Sequence, residues 1–159
     1  MPSATASQTI GPYWHLLEDP GHRGVQELVR ALNRTYTDLP ALWKQDFTSE
    51  GFRWIDASDV DSNVLSFVRL PGNEGAAVVC IANLSPVPRH GYRIGLPVAG
   101  KWREVINTDD GEFGGSGVGN GGWVIAEDSS WHGLDHSAEM SLPPLGVVWL
   151  STALSQPER

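Results

Sequence analysis

The sequence predicts an all-β fold: an antiparallel Greek-key β-sandwich of about seven to eight strands, preceded by one amphipathic α-helix. Three observations lead there. Beyond residue 51, apolar runs of strand length are separated by breaks rich in Pro, Gly, Asn and Asp, residues that fix φ or tolerate positive φ. The 159 residues include 18 Gly, 11 Pro and 7 Trp, the composition of a turn-rich architecture carrying large rings. A sustained helical period occurs in one stretch, residues 22–36.

Residues 1–18 read as an irregular arm, because the opening MPSATASQTIGPY has neither helical nor strand periodicity. Residues 19–44 form the helical segment. Asp19 is placed to cap a free backbone N–H, and Pro20 at the first helical position loses no bond it would have made. Val25, Leu28, Val29, Leu32 and Tyr36 then fall on one stripe, with Gln26, Glu27, Arg30 and Arg34 facing away. That stripe has to be covered by something. Leu39-Pro40 stops the helix, and residues 41–44 suit one further turn.

Residues 45–152 are read as the β domain. Residues 52–55 alternate briefly before an Asp/Ser/Asn loop over 56–63. The run VLSFVRL, 64–70, is apolar on both sides of the alternation, as in a strand covered on both faces, and pairs with 76–84 as a hairpin. Pro86 and Pro88 hold 85–89 outside the ladder. Strands are expected over 92–97, 102–107, 123–126, 139–142 and 146–151, and Pro143-Pro144 bars a helix between the last two. Residues 153–159 are expected to fray.

Composition narrows the function. The net charge of −8 opposes a phosphate backbone, so nucleic acid is excluded as a partner. No apolar run approaches the roughly 18 residues needed to span a bilayer, and the N-terminus carries no basic and apolar leader pattern, so a soluble, cytoplasmic protein without a membrane partner is expected. The lone Cys80 sits in an apolar run and reads as a small core hydrophobe.

Candidate chemistry is sparse. Asp109, Asp110 and Glu112 form an acidic cluster in a loop with seven glycines over residues 108–122, but Asp in a turn ordinarily caps backbone N–H groups. That loop leads to a strand and lacks the Lys of a phosphate-binding loop. His132 and His136 are four apart in a Gly/Asp/Ser segment rather than on a helix, so neither a metal nor a cofactor is expected; His90 is read as making a structural hydrogen bond. No catalytic residue is assigned. Trp123 and Trp131, placed by their loop positions, are the candidate sugar-stacking rings, whereas Trp54, Trp102 and Trp149 in strands read as core or inter-domain filler.

Four runs in order carry a family resemblance: VCIAN at 79–83, SPVPRHGY at 85–92, WREVINTD at 102–109 and GGSGVGN at 114–120. They resemble the C-terminal all-β domain of bacterial 1,4-α-glucan (glycogen) branching enzymes, members of the α-amylase superfamily. The helix with LNRTY and LPALW is similar to the last helix of that family's catalytic (β/α)8 barrel. The resemblance implies an accessory domain whose enzyme cuts an α-1,4 glucan link and rejoins the chain through α-1,6. Its catalytic carboxylates lie on barrel strands that precede the helix, so no position here matches them and inactivity alone is implied. α-Glucan and a catalytic barrel are the implied partners.

A second, shorter resemblance involves SQTIGPY, extending to Pro20, which is similar to the N-terminal segment of protocatechuate-type intradiol dioxygenases. Those enzymes hold ferric iron with two Tyr and two His; the chain beyond that segment offers Tyr36 and Tyr92 without a His-x-His pair. A free-standing α-glucan-binding module and a dioxygenase fragment are therefore the alternative readings.

Overall fold

The computed structural model describes residues 14–73 and 75–152. The first thirteen residues, with most of the dioxygenase-like run, and the tail after 152 lie outside the described residues. Trp14–Glu18 form a 3-10 turn leading into helix α1, Pro20–Asp38. Asp19 caps α1 as its sequence position requires, its carboxylate accepting from Gly21 N at 2.8 Å and His22 N at 3.3 Å. The helix runs two residues past Tyr36, and Leu39-Pro40 then ends it in a 3-10 turn, Pro40–Leu42. Among the described residues no helix is long and apolar enough to cross a membrane.

Eight strands follow: β1 Phe52–Asp59, β2 Val64–Arg69, β3 Val78–Asn83, β4 Arg89–Leu96, β5 Gly100–Asn107, β6 Trp123–Ala126, β7 His136–Leu142 and β8 Gly146–Thr152. All pairings are antiparallel. Six strands make one sheet in the order β1-β2-β3-β8-β5-β6, and β4-β7 form the second. The chain crosses between sheets after β3, β4, β6 and β7, giving a sandwich with one wide and one narrow layer.

The core lies between the layers. Val64 and Val68, Val79 and Ile81, Val148 and Leu150, Trp102, Val124 and Ala126 face Ile94, Leu96, Ala138, Met140 and Leu142 of the narrow sheet. Trp102 is fully buried, and its indole N–H donates to Val98 O at 3.1 Å, so the large ring carries no unpaired donor. The opposite face of the wide sheet bears a smaller cluster, where Leu39, Ala41 and Val78 pack with Leu42, Val105 and Trp149 beneath the end of α1. Arg69 clamps this junction, donating to Ala41 O and pairing with Asp46.

Strands β1, β4 and β7 extend furthest beyond their apolar pattern. β1 continues through the polar stretch read as a loop, because register shifts after Trp54 and Asp56 let the strand twist while Ser66 Oγ accepts from Asp56 N. β4 starts at Arg89, paired with Leu142 ahead of a bulge. β7 starts at His136, opposite Leu96.

Candidate functional site

The one buried residue of the helix is its small Gly24. Leu28, Ala31 and Thr35 are half-buried, whereas Val25 (60%), Val29 (50%) and Tyr36 (49%) of the predicted stripe are exposed. Among the described residues, the Val25, Val29 and Tyr36 part of the face that the sequence says must be covered is left open, while Leu28 and Leu32 of the same stripe are half-buried. The outer face of the wide sheet extends it. Trp54, Phe67, Cys80 and Trp149 follow one another across β1, β2, β3 and β8 in register. Phe52, Trp54 and Phe67 pack with ring centroids 5.1 to 5.9 Å apart. Between this row and the helix lies a hollow of about 240 Å³ lined by Tyr36, Leu42, Phe67, Arg69, Val78, Cys80 and Trp149. Burial pushes the Cys80 thiol up to about 12, making it the inert hydrophobe that its run suggested.

On the other side of α1 the glycine loop is held by side chains. Asp109 accepts from Ser116 N at 2.9 Å, Ser116 Oγ at 2.6 Å and Val118 N at 3.0 Å. Burial opposes its ionisation, but these bonds outweigh it and hold the carboxyl below its ordinary range. Asp110 caps the short turn Gly111–Phe113 through Glu112 N at 2.9 Å. Glu104 accepts from Asn120 at 2.6 Å and Asn107 donates to Val118 O at 2.9 Å, tying β5 to the loop at two points. Asp109 and Asp110 of the acidic cluster are scaffolding for backbone, as their turn setting implied, while the Glu112 carboxylate takes no part.

The two candidate rings occupy different surfaces. Trp123 stands on the outer face of β6, 38% exposed, with the Lys101 ammonium 3.6 Å from its centroid. It borders a groove bounded by α1, β5 and the glycine loop. Trp131 is 46% exposed in the β6–β7 connection, where its backbone exchanges bonds with Leu134 at 2.9 Å and its ring tilts against His132 at 5.7 Å. Of the strand tryptophans, Trp102 is core, Trp149 is half-buried, and Trp54 is 53% exposed on the aromatic row.

The histidines serve separate partners. His90 Nδ1 lies 3.1 Å from Ser141 Oγ, the structural bond expected of it. His136 pairs with Asp128 at 3.0 Å, and His132 Nε2 lies 3.5 Å from Asp56. Asp59 accepts from the Tyr92 hydroxyl at 2.9 Å and from Ser62 N at 2.9 Å. Burial and the neighbouring Asp59 push the Tyr92 phenol well above its ordinary value. This polar network between β1, β4 and the β6–β7 connection was not foreseen. Its members are scattered over residues 56 to 132, and their one local signal, Asp-rich β1, read as loop.

Tyr36 and Tyr92 are not brought together: one borders the outer hollow, while the other packs against the sandwich core with its hydroxyl on Asp59. Among the described residues no group of three or more His, Cys, Asp or Glu is placed to hold a metal ion.

Comparison with known proteins places this geometry. Residues 54–153 match the family described as alpha amylase, C-terminal all-beta domain. The chain is 49% identical over 142 residues to the 1,4-alpha-glucan branching enzyme GlgB of Frankia casuarinae, covering 88% of this chain and 18% of that one. It is 51% identical over 142 residues to the GlgB of Burkholderia vietnamiensis, covering 89% and 19%. The GlgB of Nocardia farcinica is 49% identical over 145 residues, again 19% of its length. The chain therefore spans about a fifth of the length of the curated relatives it matches. An eight-strand sandwich, the helix that leads into it and the matched span together show that this chain belongs to the alpha amylase C-terminal all-beta domain family, in the form found in glycogen branching enzymes.

Proposed function

We propose that this chain serves as the C-terminal accessory domain of a 1,4-α-glucan branching enzyme, seated on a catalytic (β/α)8 barrel through α1 and the aromatic row of the wide sheet. One observation carries the seating: Val25, Val29 and Tyr36 form an exposed apolar line, and Tyr36 shares a hollow with Phe67 of the aromatic row. Branching itself is retaining glycoside transfer, which requires two carboxyl groups about 5–5.5 Å apart on a rigid scaffold. The carboxylates of the glycine loop include Asp109 and Asp110, already engaged in holding backbone N–H groups, and supply no such pair. The domain's contribution is to brace the barrel and to hold glucan near it.

A chimera tests the reading. In the Frankia casuarinae relative, the matching segment is replaced by residues 14–152 of this chain, and branching is followed as the loss of amylose–iodine absorbance. Activity in the chimera, reduced by Val29→Glu with Tyr36→Glu, is expected, together with none from this chain alone. Branching of amylose by this chain alone, or a cooperatively folded chimera without activity, overturns the proposal.

A further inference from the structure

Asn120 is the one asparagine of this chain that glycine follows. Its side chain is half-buried and held at both ends. Its Nδ2 donates to Glu104 Oε2 on β5 at 2.6 Å and to Ser141 O on β7 at 3.0 Å, and its Oδ1 accepts from Ser141 N at 2.7 Å. One carboxamide thus joins the wide sheet to the narrow one through the glycine loop. The backbone beside it is differently disposed. Gly121 and Gly122 turn the chain at φ of 65° and 87°, and Trp123 N donates back to Asn120 O at 3.5 Å. Gly121 is exposed, nothing lies within 4 Å of a Cβ added to it, and its N–H makes no hydrogen bond among the described residues.

A backbone nitrogen without a partner, next to a carboxamide and shielded by no side chain, is the nucleophile that deamidation needs. Gly121 N attacks Asn120 Cγ, the new N–Cγ bond closes a five-membered imide, and the Cγ–Nδ2 bond breaks as ammonia leaves. Water then opens the ring at either carbonyl, giving aspartate or isoaspartate. Three bonds fix the plane of the carboxamide, and turning its Cγ toward Gly121 means breaking them. We propose that Asn120 is a latent deamidation site, latched in the folded chain by Glu104 and Ser141 and attacked by Gly121 N when the glycine loop opens. The change runs one way. In aspartate, the oxygen that replaces Nδ2 would face Glu104 Oε2 and Ser141 O, two acceptors, where a donor stood. Isoaspartate carries its carboxylate on a lengthened backbone. A modified chain cannot re-form the tie between the sheets, so the damage accumulates with the time spent open.

Peptide mass mapping of the full chain, incubated at mildly alkaline pH with and without concentrated urea, tests the site. The Asn120 peptide should be converted at least roughly tenfold more slowly in the folded chain than in the unfolded one, because conversion follows the open fraction. Glu104→Ala, its fold checked by circular dichroism, should speed conversion in the folded chain at least about threefold and leave the rate in urea unchanged. Should that variant not fold, Glu104→Asp, whose shorter side chain withdraws the acceptor, takes its place. Asn120→Asp, the product written into the sequence, should lower the thermal midpoint by roughly 4 °C or more. Glu104→Gln added to it should recover part of that fall by returning a donor. Equal conversion in the folded and unfolded parent, or a folded Glu104 variant that converts no faster than the parent, overturns the proposal. So does an Asn120→Asp chain as stable as the parent, since the tie would then hold without the amide.

Discussion

Gly24 of α1 faces the carbonyl of Phe113 so closely that a Cβ at residue 24 would lie 2.4 Å from its oxygen and 2.7 Å from its carbon. The neighbour is backbone of the glycine loop, which cannot rotate aside as a side chain would. Helix and loop therefore meet at this point only if residue 24 has no side chain. Gly24→Ala gains up to about 1 kcal/mol of helix propensity but forces backbone displacement costing about 1–3 kcal/mol. The expected outcome is a net loss, read as a lower urea midpoint with an unchanged slope. Gly111→Ala is the control, since nothing lies within 4 Å of its added Cβ and its φ is not positive.

Asp109 should make the glycine loop acid-sensitive. Its carboxyl lies below its ordinary value of 3.8 in the folded chain, because Ser116 and Val118 outweigh the opposing effect of burial. A depressed carboxyl stabilises fully above the unfolded value, and that stability is lost as pH falls through the folded one. Asp109→Asn should cost about 1–3 kcal/mol at neutral pH through unmet N–H and hydroxyl donors. The gap between variant and parent should close in strong acid. Urea titrations at both extremes check this; a gap independent of pH would show that the ionised carboxylate is not what holds the loop.

How far the sequence reveals this molecule depends on how local each signal is. The Asp19-Pro20 cap, the buried β3 run and the capping role of Asp109 and Asp110 are each read from a few adjacent residues, and they stand as read. Strand ends were less legible, because β1 and β7 are completed by polar residues whose partners, Ser66 for Asp56 and Leu96 for His136, lie far along the chain. The helix taught the most. Its stripe is real and Leu28 and Leu32 of it are half-buried, yet the contact also uses Gly24, Ala31 and Thr35, too small to register in a hydrophobic period. The groove is less legible still, since it assembles Arg34, Arg103, Glu112 and Trp123 from four separate elements.

Cys80 should be a reporter of unfolding. Burial raises its thiol to about 12, and the residue is only 8% exposed. Roughly four pH units below that value, on the order of one thiol in 10,000 is ionised, and the thiolate is the nucleophile. Modification by an aromatic disulfide reagent should therefore proceed at the rate of global opening and accelerate with denaturant. Rapid labelling of the native chain would instead show that the hollow beside Tyr36 opens locally, without loss of the sheet.

His132 should give the fold a second pH dependence, with its onset nearer neutrality. Its Nδ1 accepts from Gly95 N at 3.4 Å and its Nε2 faces Asp56 at 3.5 Å, which fixes the neutral tautomer with the proton on Nε2. Protonation would place a hydrogen on Nδ1 against the Gly95 N–H. Burial lowers the imidazole pKa, and the carboxylates of Asp56 and Asp59 oppose that without cancelling it. A folded value below the ordinary 6.5 means that the unfolded chain binds the proton first. The contribution is thus complete above the unfolded value, and it falls with pH until the folded value is passed. Thermal midpoints should decline across this window in the parent. They should decline less in His132→Asn, a residue that tolerates the positive φ of 52° found there. Parallel curves for the two proteins would mean that folding leaves the proton affinity of the imidazole unchanged, and the Gly95 bond would then have no hold on its tautomer.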